Sequence, residues 1–213
     1  MNIAVTAPLD RKRWLAALQS GEEALPSLQA QMDLAEQQLL EAAVPKAIYR
    51  IMNKSDIKRE GISIEKHLEG CDQVAVMGAT LGMGVDDLIR RTQVRDMAMA
   101  VILDCGASLM IEEVCDIFQR QIDAETEGYL TSRFSPGYGD YPLEYQQLIV
   151  RYIDGQRKIG LNVTGNSLMV PRKSVTALLG ISDHPVTGRP ATCGECVLRE
   201  KCTLRKEGRF CGD

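Results

Sequence analysis

Histidine is nearly absent from this 213-residue chain, with only His67 and His184 present. No paired carboxylates and no serine- or cysteine-based triad accompany them, so general acid–base and nucleophilic catalysis have no obvious residues to run on. Both histidines read as structural or surface residues. Excess positive charge is also missing. The 25 Lys and Arg are offset by 29 Asp and Glu, for a net charge of -4, which argues against nucleic-acid binding through phosphate contacts. No stretch approaches the roughly 18 uninterrupted apolar residues of a membrane span. The opening MNIAVTAPLDRKRW lacks the charged-then-apolar order of a secretory signal, and a cytoplasmic location is the expectation. Internal repeats and low-complexity tracts are absent as well.

What remains is ordinary globular material. A hydrophobic fraction of 45% with 25% charged residues is enough for a normal core without staples. Leu28, Met32, Ala35, Leu39 and Ala42 recur at spacings of four and three and predict an amphipathic helix. Pro45 ends it or opens the next segment, which carries Ala47, Ile48, Ile51 and Met52. A short helix follows Ser63 and ends near Gly70, and Val74–Met77 reads as a buried strand. From Val85 to about Ile122 the pattern is helical in two pieces, divided around Cys105-Gly106, with Leu103, Ala107, Met110, Ile111, Val114, Ile117 and Phe118 as one stripe. Residues 130–142, LTSRFSPGYGDYP, cannot be regular throughout. Leu161–Val170 reads as a strand pair or a strand with a turn, and Ser174–Ile181 is a further apolar segment. The fold class is α+β. The organisation is an N-terminal segment over 1–27, a main domain over 28–182 and a cysteine-bearing extension over 183–213.

The seven cysteines fall into two groups. Cys71, Cys105 and Cys115 are scattered through apolar segments and look like buried structural thiols. Cys193, Cys196, Cys202 and Cys211 crowd the tail in the pattern C-x2-C-x5-C-x8-C, among Arg199, Lys201, Arg205 and Lys206. Nearby cations favour thiolates, and a reducing compartment favours metal over disulfides. A four-cysteine zinc site usually shows two short C-x2-C knuckles, and this tail has one. A 4Fe–4S cluster tolerates irregular spacing. Both remain open, with iron–sulfur preferred.

The segment Arg133-Phe134-Ser135-Pro136-Gly137-Tyr138 carries the most chemistry. Arg offers a planar fork suited to a carboxylate. Gly137 lets backbone approach a ligand, Tyr138 offers an apolar face with a hydroxyl, and Pro136 stiffens the loop. Its form, R-x-[AS]-P-G-Y, resembles the S-adenosylmethionine-binding signature of the activation domain of vitamin B12-dependent methionine synthase. Three further segments resemble that family in the same order. They are Leu68-Glu69-Gly70-Cys71 followed by Ala79-Thr80-Leu81-Gly82, then Asp104-x-Gly106-x-Ser108-x-x-x-Glu112, then Ser167-Leu168-Met169-Val170-Pro171-x-x-Ser174-Val175. The similarity spans roughly residues 28–182.

The resemblance implies helices packed on a mostly antiparallel curved sheet, drawing on segments near 74–77 and 161–170. It implies that Arg133 holds the methionyl carboxylate of S-adenosylmethionine, that backbone at Ser135 and Gly137 contacts the same ligand, and that Tyr138 packs beside it. Glu112 is a candidate for a polar group of the ligand, with Glu113 as its competitor. Leu178-Leu179 stand where the family is expected to carry aromatic residues. The implied function is reductive methylation of an oxidised corrinoid. A one-electron reduction of cobalt is trapped by methyl transfer from S-adenosylmethionine, and the protein places the sulfonium methyl and excludes water. The chain has no D-x-H-x-x-G corrinoid motif. The implied partner is therefore a separate corrinoid-binding protein, or a methionine synthase lacking its own activation domain, carrying the cobalamin.

Two rivals from other classes compete. Gly78-x3-Gly82-x-Gly84 after an apparent strand, with Asp104 further on, is the pattern of a Rossmann-type S-adenosylmethionine-dependent methyltransferase. A zinc-binding adaptor without enzymatic activity would account for the tail alone.

Overall fold

Asp10 starts the first helix by accepting hydrogen bonds from the backbone N–H of Lys12 (2.9 Å) and Arg13 (3.2 Å). These satisfy donors that have no partner within the helix. The computed structural model describes residues 1–5 and 8–186. In chain order the elements are α1 (Arg11–Ala17), α2 (Leu25–Ala42), β1 (Lys46–Asn53), α3 (Ile62–His67), β2 (Gln73–Thr80), α4 (Met83–Gln93), α5 (Met97–Glu125), β3 (Tyr129–Leu130), α6 (Gln146–Tyr152), α7 (Gly155–Ile159), β4 (Asn162–Val163), β5 (Met169–Val170) and β6 (Ser174–Ser182). Four strands form an antiparallel sheet in the order β1-β2-β6-β3, giving the α+β class. No helix among the described residues is long and apolar enough to cross a membrane.

The described chain divides into two compact units, each discontinuous. The first comprises Met1–Ile48, Gly78–Gln121 and Asp154–Val175; the second comprises Tyr49–Met77, Ile122–Ile153 and the chain from Thr176.

In the first unit the periodicity of α2 is realised, with Met32, Ala35 and Leu39 fully buried. Helix α1 belongs to the same packing. Trp14 is completely buried and donates its indole N–H to the Ile102 carbonyl at 3.0 Å, while the Arg11 guanidinium lies 5.2 Å from the centre of the Trp14 ring. Arg11 also pairs with Asp33 and Glu36 on α2 at 2.8 and 2.6 Å. The long helix α5 buries Leu103, Ala107, Met110, Ile111, Val114 and Phe118 as expected from their spacing.

Two expectations require correction. Helix α5 runs unbroken through Cys105-Gly106. The break lies at residues 94–96, where Val94 is 86% exposed and Asp96 opens α5 by accepting the Met99 N–H at 2.9 Å. Gly106 serves contact instead of termination: a Cβ there would approach Trp14 Cζ2 at 2.3 Å. The segment 161–170 does form a strand pair, with Asn162 opposite Val170 and Val163 opposite Met169. That pair is a separate two-stranded sheet and contributes nothing to the four-stranded one.

Among the described residues the glycines after β2 mark no phosphate-binding turn, because the four-stranded sheet is antiparallel and not doubly wound. They serve packing. Gly82 adopts φ +84 and leads the chain into α4. A side chain on Gly84 would lie 2.3 Å from the Ala42 carbonyl oxygen, where α4 starts against the end of α2.

Candidate functional site

Three of the segments singled out in sequence are joined in space. In the first unit, Thr80 Oγ1 accepts the Gly82 N–H at 3.1 Å and the Ser174 hydroxyl at 2.8 Å, and the Leu81 N–H bonds to the Lys173 carbonyl at 2.9 Å. The Lys173 ammonium then reaches α5. It donates to the Asp104 carbonyl and to Ser108 Oγ, both at 2.9 Å, and sits 3.0 Å from the Asp104 carboxylate. One short stretch, Lys173-Ser174, thus ties the Ala79–Gly82 and Asp104–Ser108 segments together. Glu112 lies on the same helix, half-buried. Its neighbour Glu113 is also half-buried and stands 4.0 Å from the Arg120 guanidinium.

The Arg133–Tyr138 loop belongs to the second unit, and its backbone is fixed at many points. Thr131 N–H bonds to the Gly180 carbonyl at 2.9 Å, and Gly180 N–H returns a bond to Thr131 Oγ1 at 2.8 Å. Phe134 and Leu178 exchange two backbone bonds, at 3.0 and 2.9 Å. Beyond Phe134 the chain turns twice. Tyr138 N–H donates to the Ser135 carbonyl at 3.1 Å, and Tyr141 N–H donates to the Tyr138 carbonyl at 3.0 Å. The Gly137 N–H closes the loop onto the Tyr141 carbonyl at 2.8 Å.

Gly137 has φ +92, a conformation that L side chains rarely adopt, so this position is kept for glycine by the backbone itself. Pro136 is buried, Ser135 and Arg133 are half-buried, and Tyr138 is 53% exposed. Tyr138 stands edge-on to the buried Phe134, with centroids 5.8 Å apart and planes at 72°, a favoured geometry for an aromatic pair. The loop therefore combines a half-buried arginine, a side-chain-free backbone turn and a braced phenol.

The end of the loop is anchored by Asp140. Its carboxylate accepts the N–H groups of Ile62 and Ser63, at 2.7 and 2.8 Å, at the start of α3. Burial would raise the Asp140 carboxyl, but the N–H groups of Ser63 and Ile62 outweigh it and hold it below the ordinary value of 3.8. Gly61 precedes the helix at φ +123, and a side chain there would come within 2.8 Å of Asp140 Oδ1. Next in line, Tyr141 is buried, and burial followed by the neighbouring Tyr145 and Tyr152 pushes its phenol well above its usual range.

One histidine is buried and the other exposed, and both are hydrogen-bonded. His67 is 1% exposed, and its Nε2 lies 3.0 Å from Thr131 Oγ1 and 2.9 Å from the Ser132 carbonyl. His184 Nδ1 contacts Ser182 Oγ at 2.9 Å and the Asp183 carboxylate at 2.7 Å. Leu178 and Leu179 are fully buried, so neither offers a surface to a ligand. Cys71 and Cys115 are buried and Cys105 is half-buried; burial raises the thiols of Cys71 and Cys105. Among the described residues no three His, Cys, Asp or Glu side chains gather as a metal-binding group. Cys193, Cys196, Cys202 and Cys211 lie outside the described residues. Sequence reasoning gives no part to Asp140, Thr131 or Lys173, whose partners lie tens of residues away.

No family model and no curated protein sequence matches the chain. Among solved structures the fold is similar to that of the MetH reactivation domain, crystallised bound to AdoHcy. The match has a TM-score of 0.64 and 13% identity, and covers 94% of this chain and 82% of that one. At that identity the likeness establishes the fold.

Proposed function

We propose that this protein binds S-adenosylmethionine through the Arg133–Tyr138 loop and supports the reductive methylation of an oxidised corrinoid held by a partner. The observation that carries the reading is the coincidence of a ligand-type loop with this fold. R-x-[AS]-P-G-Y occurs on a chain whose fold is similar to a reactivation domain crystallised with AdoHcy, the product left when S-adenosylmethionine gives up its methyl. In this reading Arg133 takes the methionyl carboxylate by a bidentate pair. The backbone at Ser135 and Gly137 approaches the ligand, and Tyr138 packs against it. The bridging of Phe134 to Leu178, the two turns and the Asp140 anchor hold the loop in one shape, so little conformational freedom is lost on binding.

The chemistry asks little else of the chain. A sulfonium methyl is already activated for transfer, so the protein's work is placement and exclusion of water. That agrees with a loop built from backbone bonds, buried aromatics and one guanidinium. The partner is a corrinoid-binding protein, or a methionine synthase without its own activation domain, which brings the cobalamin. Cys193, Cys196, Cys202 and Cys211 are proposed to share one metal centre, a 4Fe–4S cluster or zinc. Iron would supply an electron where the corrinoid needs one, whereas zinc would only fold the tail.

Calorimetric titration of the purified chain with S-adenosylmethionine, without corrinoid, tests the reading. Stoichiometric binding is expected, and Arg133→Ala should weaken it by about 1.5–3 kcal/mol through loss of a charge-assisted pair. Unchanged affinity in that variant would show that the loop is misassigned, and absent binding in the unmodified chain would favour an adaptor. The partner is sought by asking which corrinoid protein co-purifies.

A further inference from the structure

His67, Thr131 and the carbonyl of Ser132 form a closed hydrogen-bonded triangle directly under the residue that precedes the loop arginine. Thr131 Oγ1 accepts the Gly180 N–H at 2.8 Å and donates its single hydrogen to the Ser132 carbonyl at 3.0 Å. His67 Nε2 stands 2.9 Å from that same carbonyl and 3.0 Å from Thr131 Oγ1. A carbonyl oxygen only accepts, so the Ser132 contact places a hydrogen on Nε2, and Thr131 Oγ1, with its own hydrogen on the same carbonyl, can accept from it as well. The arrangement thus assigns the tautomer: Nε2–H is shared between the Ser132 carbonyl and Thr131 Oγ1.

The carbonyl held in this way belongs to the peptide whose nitrogen is that of Arg133. Because the peptide is planar, fixing the Ser132 oxygen fixes the direction in which the chain enters Arg133. On the other side of Arg133, Phe134 is pinned to Leu178 by two backbone bonds, and its ring lies against the His67 imidazole with centroids 4.7 Å apart. One buried imidazole therefore touches the residue before Arg133 through a hydrogen bond and the residue after it through a tilted ring contact. We propose that His67 is a positioning residue for Arg133, setting the direction of its guanidinium toward the ligand carboxylate. The inference rests on Arg133 being the carboxylate-binding residue of the proposed function.

The test is a double-substitution cycle read by calorimetry with S-adenosylmethionine, on the full chain. His67→Phe keeps a ring against Phe134 and removes the donor. It is expected to weaken binding about tenfold, and His67→Gln, which restores an N–H donor, should recover most of the loss. In an Arg133→Ala background the same His67→Phe change is expected to alter affinity by no more than about twofold, because the group it positions is gone. Equal losses in both backgrounds would make His67 a merely structural residue and overturn the proposal, as would unchanged affinity in His67→Phe.

Should His67→Phe not fold, imidazole nitrogen NMR on the unmodified chain tests the hydrogen bond on which the positioning depends. An Nε2–H tautomer is expected, and an unprotonated Nε2 would remove the mechanism. Failure of the underlying reading looks different: the unmodified chain would bind no S-adenosylmethionine, or Arg133→Ala would bind as well as it.

Discussion

Gly106 and Trp14 are in direct contact, and the helix has glycine at this point because the indole occupies the space a side chain would need. A Cβ at Gly106 would lie 2.3 Å from Cζ2 and 2.8 Å from Cε2 and Cη2. The ring has no room to retreat, being wholly buried with its N–H bound to Ile102. Alanine in a helix interior ordinarily gains about 1 kcal/mol over glycine, but overpacking of this kind costs about 1–3 kcal/mol. With the overlap falling on a rigid ring, the cost wins. Gly106→Ala should lower the chemical-denaturation midpoint, whereas glycine-to-alanine changes at uncrowded helical sites raise it.

Lys173 is the second fixed point. Its side chain is 11% exposed, and its ammonium meets the Asp104 carbonyl, the Asp104 carboxylate and Ser108 Oγ. Lys173→Met keeps the stem and deletes the donors, and should cost about 1–2 kcal/mol of stability. Lys173→Arg should not restore it, because three acceptors converge on one point and a planar fork cannot meet them all. Urea titrations of the three proteins check both statements.

Asp140 gives an acid-sensitive anchor whose sign follows from its depressed carboxyl. A group with a folded pKa below its unfolded value contributes stability above the unfolded pKa and loses it as pH falls through the folded one. The contribution should therefore be complete at about pH 6 and decline once pH drops below the ordinary value of 3.8. Asp140→Asn, with one acceptor and no charge, should melt below the unmodified chain near neutrality, and the gap should close in acid. A gap that is constant across the titration would show that the carboxylate charge plays no part.

The cysteine tail makes a compositional prediction. Anaerobic purification followed by metal analysis and visible absorption should find iron and sulfide in a ratio fitting one cluster, with absorption that bleaches on reduction. One tightly held zinc, no iron, and full corrinoid activation after deletion of the tail would remove the electron-donor role. The binding prediction for Arg133 would stand.

Local patterns carried much of this fold. Met32, Ala35 and Leu39 announce α2, and Leu103 to Phe118 announce the buried stripe of α5, because helical burial repeats every three or four residues. Strand β1 is less legible. Its eight residues carry no clean alternation and include one fully buried position, Ala47. Gly106 misleads because a glycine required by a distant tryptophan looks the same as one that ends a helix. The true boundary signal, Asp96 before Met97, is local and readable. For the loop, Pro136, Gly137 and Gly139 make irregular structure evident. What holds it in place is not evident, since Asp140 with Ile62 and His67 with Ser132 are pairs 78 and 65 residues apart. No short-range pattern encodes such partners.

The Asp140 anchor also bears on the order in which the chain matures. Helix α3 has six residues, too few to persist alone in water, and its initiating glycine supplies no side-chain cap. The cap arrives from a carboxylate 78 positions downstream of Ile62. During synthesis from the N-terminus, α3 must wait for residue 140 to leave the ribosome before its first turn is satisfied. Helix and loop are then completed in one event, so a nascent chain halted before that point should leave residues 62–67 open to proteases.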